Sequence, residues 1–208
     1  HRYDGVLIDL DDTLYIYEPC HRHALEAAFS ACDMRLVFTD FSRVYRKARD
    51  TVTKRLAGQG ACRSRLFAFQ AMAEARGLSK PYSTALALDR AYWDAFLSRM
   101  KPAPEALAFL QDAKRVSMRV AVVTDMTAEV QIGKLERLGL VNLIDHLVTS
   151  EETGHEKPHR AMFETALAKL GVGAGRAVMI GDHVDKDILG AAALGIDGAL
   201  IELKDRDA

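Results

Sequence analysis

The sequence lacks a dominant charge: 28 Lys and Arg stand against 29 Asp and Glu, a formal net charge of −1 over 208 residues. That balance argues against a protein holding nucleic acid through bulk positive charge, although it allows a local basic pocket. No apolar run approaches the roughly 20 residues of a membrane-spanning helix, so no membrane partner is expected. Three cysteines, Cys20, Cys32 and Cys62, are too few and too scattered for a disulfide framework, and there is no CxxC pair. The odd count fits a reducing, cytoplasmic setting. No internal repeat, low-complexity tract or basic-then-apolar leader is present. The chain opens His1-Arg2-Tyr3-Asp4 without an initiator Met, which leaves room for a flanking domain in a longer chain.

What is present is ordinary globular material, 49% hydrophobic and 27% charged. The length suits one large domain, or one domain carrying an insertion. Five short apolar runs read as buried strands: Val6 to Ile8, Val120 to Val123, Leu147-Val148, Ala177 to Ile180 and Ala199 to Ile201. Helical segments between the last four end at Gly139, Gly171 and Gly195, where a helix C-terminus favours a left-handed residue. Pro104 and Pro158 read as first-turn prolines. Alternating strand and helix predicts an α/β fold, a parallel sheet with helices on both faces.

From Tyr15 to Lys101 the texture changes and no strand is evident. Phe38, Phe41, Tyr45, Ala48 and Val52 recur at helical spacing. Leu66, Phe69 and Ala73 continue the pattern, and Leu88, Tyr92, Ala95 and Arg99 mark another face beside Trp93. These aromatics read as core. A small helical bundle inserted after the first strand is expected, with Pro102 and Pro104 marking the return to the sheet.

The first strand runs into Asp9-Leu10-Asp11-Asp12-Thr13. Carboxylates this close repel unless a cation or a shared proton intervenes. Mg²⁺ suits them, since it prefers oxygen ligands and bridges to phosphate. The plain alternative is an acidic turn capping a helix. The fourth strand ends in Gly181-Asp182, with His183, Asp185 and Asp187 behind. Gly181 would let the backbone bend close to a ligand, and Asp182 or Asp185 could instead be a helix N-cap. The second strand ends in Thr124-Asp125, where Thr124 is either a site hydroxyl or a cap. Lys157 precedes Pro158 near a helix N-terminus, a weak anion site, and could equally be a solvated lysine. The spacing of His21, His23, His155 and His159 gives no ligand set.

Four successive strands thus each deliver a polar group to one sheet edge, the edge where α/β folds place their sites. The ordered set resembles the haloacid dehalogenase-like (HAD) superfamily, whose motifs are DxDx[TV], a Thr or Ser ending strand two, a Lys, and GDxxxD or GDxxxxD. They read here as Asp9 to Thr13, Thr124, Lys157, and Gly181-Asp182 with Asp187. The resemblance implies a Rossmann-like core of residues 1–14 and 102–208, with a helical cap of the C1 type at 15–101. It implies Asp9 as nucleophile, forming an aspartyl-phosphate, and Asp11 as general acid and then base. It implies Mg²⁺ held by Asp9, Asp182 and the Asp11 carbonyl, with Asp187 orienting that shell. Thr124 and Lys157 would bind the phosphoryl group.

Asp11 and the metal acids favour phosphoryl transfer over dehalogenation. The stretch from Val123 to Leu140 looks like the branch of N-acylneuraminate-9-phosphatase and nucleotide 5′-phosphatases. A Mg²⁺-dependent phosphatase for a sugar-acid phosphate or nucleotide monophosphate is therefore expected, with a mutase or a binding module on the same site as alternatives. Two departures stand out. Asp125 and Met126 replace the usual Asn and Gly after the strand-two Thr, which sets a carboxylate beside the phosphate. His183 replaces the usual Ser, Thr or Asn. On the cap, Arg65 is the candidate contact to the leaving group; its plain alternative is a solvated helix arginine.

Overall fold

A computed structural model of the chain describes residues 2–31 and 34–203; Cys32 and residues 1 and 204–208 lie outside them. Five strands form one parallel sheet in the order β3-β2-β1-β4-β5: β1 Gly5–Ile8, β2 Arg119–Thr124, β3 His146–Thr149, β4 Ala177–Gly181 and β5 Asp197–Leu200. The expected parallel sheet is present. The last strand sits two residues earlier at its start than its apolar run suggests, because it pairs Asp197 with Val178. It is the sheet edge, so burial selects its residues less sharply.

Side chains alternate across the sheet and split the core in two. Leu7, Ala121, Val123 and Met179 join Phe163, Ala166 and Leu170 of helix α8 (Arg160–Leu170) on one face. Val6, Ile8, Val120 and Val122 face the other way, and their cluster runs through Leu110 of α5 (Pro104–Arg115) into the helical insertion.

Between β1 and α5 the chain is helical: α1 Tyr17–Ser30, α2 Phe38–Arg55, α3 Arg65–Ala75 and α4 Pro81–Arg99. The α2 periodicity holds, with Phe41, Tyr45, Ala48 and Val52 buried. On α4 the buried face is Ala85, Leu88, Tyr92 and Phe96. Arg99 is exposed and Ala95 only half-buried, because a 4-residue step from Tyr92 continues the stripe through Phe96. Tyr92 and Phe96 stack, and Trp93 packs edge-on against both.

Leu14 and Ala103, one in each connection, are tied by an Ala103 N–H to Leu14 carbonyl bond of 2.9 Å. Cys20 and Cys62 are buried free thiols. Gly139, Gly171 and Gly195 take positive φ as expected, and Pro104 sits in the first turn of α5. Pro158 does not start a helix. His159 caps α8, so the proline lies one residue before the cap. Among the described residues no helix is long and apolar enough to cross a membrane.

Candidate active site

The carboxyl ends of β1, β2 and β4, with the turn after β3, meet in one pocket of about 330 Å³. Asp9, Asp11, Asp12, Thr124, Asp125, Lys157, Asp182 and Asp187 line it, and so does Arg65 from the insertion. All the site residues expected from the sequence therefore come together.

Asp9 follows β1 directly, its backbone N–H bonded to the Ile180 carbonyl of β4 at 2.9 Å. Its carboxylate is 7% exposed and accepts from the Lys157 ammonium. Lys157 also donates to Asp187 Oδ1 at 2.7 Å, so one buried cation bridges two buried carboxylates. Burial pushes the Asp9 carboxyl up, to about 7, with Lys157 opposing and Asp187 and Asp11 adding to the rise. Burial alone would lower Lys157, but Asp9, Asp187 and Asp125 outweigh it and hold the ammonium charged. The solvated-lysine alternative is excluded, since Lys157 is 4% exposed.

Gly181 has a reason other than approach to a ligand. A Cβ there would lie 2.3 Å from Asp187 Oδ2, so its hydrogen is what lets Asp187 fold back to the strand end. Asp187 Oδ2 accepts from the His183 N–H at 3.1 Å. His183, the unusual residue after Gly181-Asp182, caps the π-helical turn Val184–Leu189 through a bond from the Lys186 N–H. Asp185 is thus not the cap; it lies exposed in the first turn. Asp9, Asp182 and Asp187 each offer an oxygen within 4.8 Å of the others. This all-carboxylate set has the hard-oxygen chemistry of a Mg²⁺ site. Burial raises the Asp182 carboxyl, and Asp187 and Asp12 add to it, so a cation there would relieve three mutually repelling acids.

The three acids of the first motif part ways. Asp12, left-handed at φ 57°, accepts from the Tyr17 N–H at 2.8 Å and so starts α1, the capping role held open as the alternative. Asp11 points into the pocket and accepts from Tyr15 Oη at 2.5 Å and Lys134 Nζ at 2.7 Å. Burial would raise its carboxyl, but Lys134 and the two bonds outweigh that and hold it below the ordinary range.

Lys134, on α6 (Ala128–Arg137), was not foreseen. It is fully buried, with Tyr15, Tyr17, Trp93 and Phe96 rings 5.4 to 6.0 Å from its ammonium. Gln131, three residues earlier on the same helix, is equally buried and donates to Thr124 Oγ1 at 2.5 Å, leaving the threonine's own proton for a ligand oxygen.

Asp125 is paired, not free. One oxygen accepts from the Lys157 N–H at 2.9 Å and the other from Lys186 Nζ at 2.6 Å. Met126 beside it holds φ 137°, a conformation that favours glycine, and is fixed by its N–H to Ser150 Oγ at 2.8 Å. Arg65 is 3% exposed, so the solvated-arginine alternative fails. Arg63, just before α3, joins Glu156 of the sheet domain at 2.8 Å, and Arg49 of α2 completes the upper wall.

These groups gather at the carboxyl edge of a parallel sheet, where α/β folds place their sites. The family model for haloacid dehalogenase-like hydrolases matches residues 3–195, and the chain belongs to that family. Ribulose-1,5-bisphosphate 5-phosphatase of Halopiger xanaduensis is 38% identical over 201 residues, covering 95% of this chain and 84% of its own length. Glyceraldehyde 3-phosphate phosphatase of Methanothermobacter thermautotrophicus is 32% identical over 198 residues, covering 95% and 84%. Among solved structures, the HAD-hydrolase YfnB of Bacillus subtilis bound to magnesium superposes with a TM-score of 0.76 at 21% identity, over 97% of this chain and 89% of its own.

Proposed function

We propose that the protein is a Mg²⁺-dependent phosphatase that cleaves a small phosphorylated metabolite through an aspartyl-phosphate on Asp9. The observation that carries this is Asp9 itself, set at the end of β1 against the Lys157 ammonium and within one oxygen cage with Asp182 and Asp187. The relatives named above support the substrate class, and a sugar phosphate, sugar-acid phosphate or nucleotide monophosphate falls within it. In this reading residues 1–14 and 102–208 form the catalytic core and 15–101 the cap.

Asp9, Asp182 and Asp187 would hold Mg²⁺, together with the Asp11 carbonyl; when bound it offsets the charge between an anionic nucleophile and an anionic phosphate. A carboxylate oxygen of Asp9 attacks phosphorus and the ester P–O bond breaks. Asp11 gives its proton to the departing alkoxide, then takes one from the water that attacks the aspartyl-phosphate. Water adds to phosphorus, the acyl-phosphate bond breaks, and phosphate and free Asp9 are restored. Lys134 and Tyr15 favour the ionised Asp11 needed for the second step. The incoming phosphate, by like charge, raises its carboxyl for the first. Thr124 donates to a phosphoryl oxygen, and Lys157 neutralises charge as the phosphoryl group moves.

The test is phosphate release from a panel of these esters and p-nitrophenyl phosphate, with Mg²⁺ and with EDTA. Release abolished by EDTA and lowered at least about 1,000-fold in Asp9→Asn is expected. Release that survives Asp9→Asn within tenfold would sink the reading.

A further inference from the structure

The cations of the pocket divide into two kinds. On the sheet side each has a partner of opposite charge: Lys157 has Asp9 and Asp187, Lys186 has Asp125, and Lys134 has Asp11. Arg63 has Glu156. Two guanidiniums from the insertion differ. Among the described residues no carboxylate lies within ion-pair distance of Arg49 or Arg65, yet both line the pocket above the carboxylate floor.

Arg65 makes this conspicuous because it is 3% exposed. Its Nη1 donates to the Arg63 carbonyl at 3.1 Å and its Nη2 to Tyr17 Oη. Its Nε is buried with no partner. A buried guanidinium without a counter-charge is costly, and guanidinium forks match carboxylate and phosphate geometry. The positive charge bears on neighbouring groups. Burial would raise the Tyr17 phenol, but Arg65 and Arg49 outweigh it and pull it down. Burial first, then Arg65, Arg49 and Arg46, lower His21 to about 3.

We propose that Arg49 and Arg65 form a second anion subsite, so that the preferred substrate carries a second phosphate or a carboxylate besides the phosphate ester that is cleaved. This rests on the phosphatase reading of the same pocket and narrows it. The pocket, about 330 Å³, is at the small end of ligand sites, which run from roughly 300 to 1,000 Å³. That size favours a short-chain diacid ester or sugar bisphosphate over a nucleotide. The two relatives named above differ in this respect by their names, one acting on a bisphosphate and one on an aldehyde monophosphate; two arginines without a carboxylate suit a doubly anionic substrate of the first kind.

Matched substrates isolate the second anion. Ribulose 1,5-bisphosphate against ribulose 5-phosphate tests a second phosphate, and 3-phosphoglycerate against glyceraldehyde 3-phosphate tests a carboxylate. Wild type should show kcat/KM at least about tenfold higher for the more anionic member of one pair. Arg49→Gln, altering a half-buried side chain on α2, should cut that ratio at least about fivefold, and Arg65→Gln should do the same if it folds. A wild-type ratio near one in both pairs would overturn the proposal, as would a ratio unmoved by Arg49→Gln. Asp89 of α4 is half-buried, with one carboxylate oxygen lacking a hydrogen-bond partner, and feels the Arg65 charge; if Arg65 serves to balance it instead, Arg65→Gln lowers Tm and leaves the ratio alone, which also counts against the proposal. No turnover of any ester, p-nitrophenyl phosphate included, would overturn the phosphatase reading separately. Thermal shift then decides the subsite: ribulose 1,5-bisphosphate should raise Tm more than ribulose 5-phosphate in wild type and not in Arg49→Gln, and equal shifts in wild type would refute it.

Discussion

The floor and the roof of the pocket are built by different means. The floor hangs on strand ends and the turns that follow them, where a parallel ladder fixes each backbone position, and each of its lysines is matched to a carboxylate of the chain. The roof is carried by helices of the insertion, from which Tyr17, Arg49 and Arg65 reach in, Arg65 lying over the Tyr92 ring and Tyr17 against Phe96. Rigid elements hold reacting groups to a fraction of an ångström, which chemistry needs. Helix faces tolerate exchange of one side chain for another, which suits the reading of a leaving group. Lysines paired on the floor and two arginines without a carboxylate on the roof would, in the proposed reading, keep the reaction apart from its selectivity.

The sharpest way to break the comparison is at Lys157. Replacing it with Met leaves Asp9 and Asp187 buried together without their cation. Removing one member of a buried charge network costs about 3–5 kcal/mol, and the phosphoryl group also loses its counter-charge. We expect kcat to fall roughly 1,000-fold and urea unfolding to show a clear loss of stability in Lys157→Met. A variant within tenfold of wild type, equally stable, would mean the floor does not depend on internal pairing.

The roof should fail differently, through acid. His21 sits among Tyr17, Tyr45 and Tyr92, its Nδ1 2.6 Å from Tyr92 Oη, and its folded pKa of about 3 lies below the ordinary histidine value of 6.5. As pH falls below 6.5 the unfolded chain takes a proton that the folded chain refuses, so the unfolded state gains. The stability this neutral imidazole allows is intact above pH 6.5 and is lost progressively down to about 3. The slope is at most about 1.4 kcal/mol per pH unit for one proton. His21→Gln should flatten the dependence of unfolding free energy on pH between 6.5 and 4.5, measured in urea. An unchanged slope would show that burial and the positive roof do not hold His21 neutral in the folded chain.

The same contrast explains what could be read without coordinates. The floor was legible because most of its residues come from strand ends: Asp9, Thr124 and Asp182 stand in chain order where apolar runs end, while Lys157 follows β3 after the short helix Ser150–Thr153. The α2 stripe was legible for a similar reason, as periodicity is local. Lys134 was not, since nothing local marks a lysine whose burial comes from rings of α1 and α4 and a carboxylate 123 residues away. Arg49 was missed because its α2 face is read for apolar spacing, and its role depends on α3 and β1 lying opposite. Pro158 misled because a proline before a helix can precede the cap as well as follow it, and here His159 takes the cap. On α4 the shift of the buried stripe from Ala95 to Phe96 is one residue, a 100° turn that only packing settles.

Asp125 offers the smallest test and separates pairing from mere position. A carboxylate beside a phosphate site should repel the substrate unless its charge is spent, and here Lys186 and the Lys157 N–H take both its oxygens. Asp125→Asn keeps an amide oxygen to accept from the Lys157 N–H and frees Lys186 to meet the phosphate, so KM should change less than about threefold. Lys186→Ala does the opposite: it leaves the Asp125 carboxylate unmatched at the pocket wall. Its KM should rise more than that of Asp125→Asn changes, and the gap should narrow as salt is added, because Lys186 is a quarter exposed and open to screening. If Asp125→Asn is the more damaging of the two, the aspartate contributes its charge to the reaction itself, and its pairing with Lys186 is not what makes it tolerable beside the phosphate.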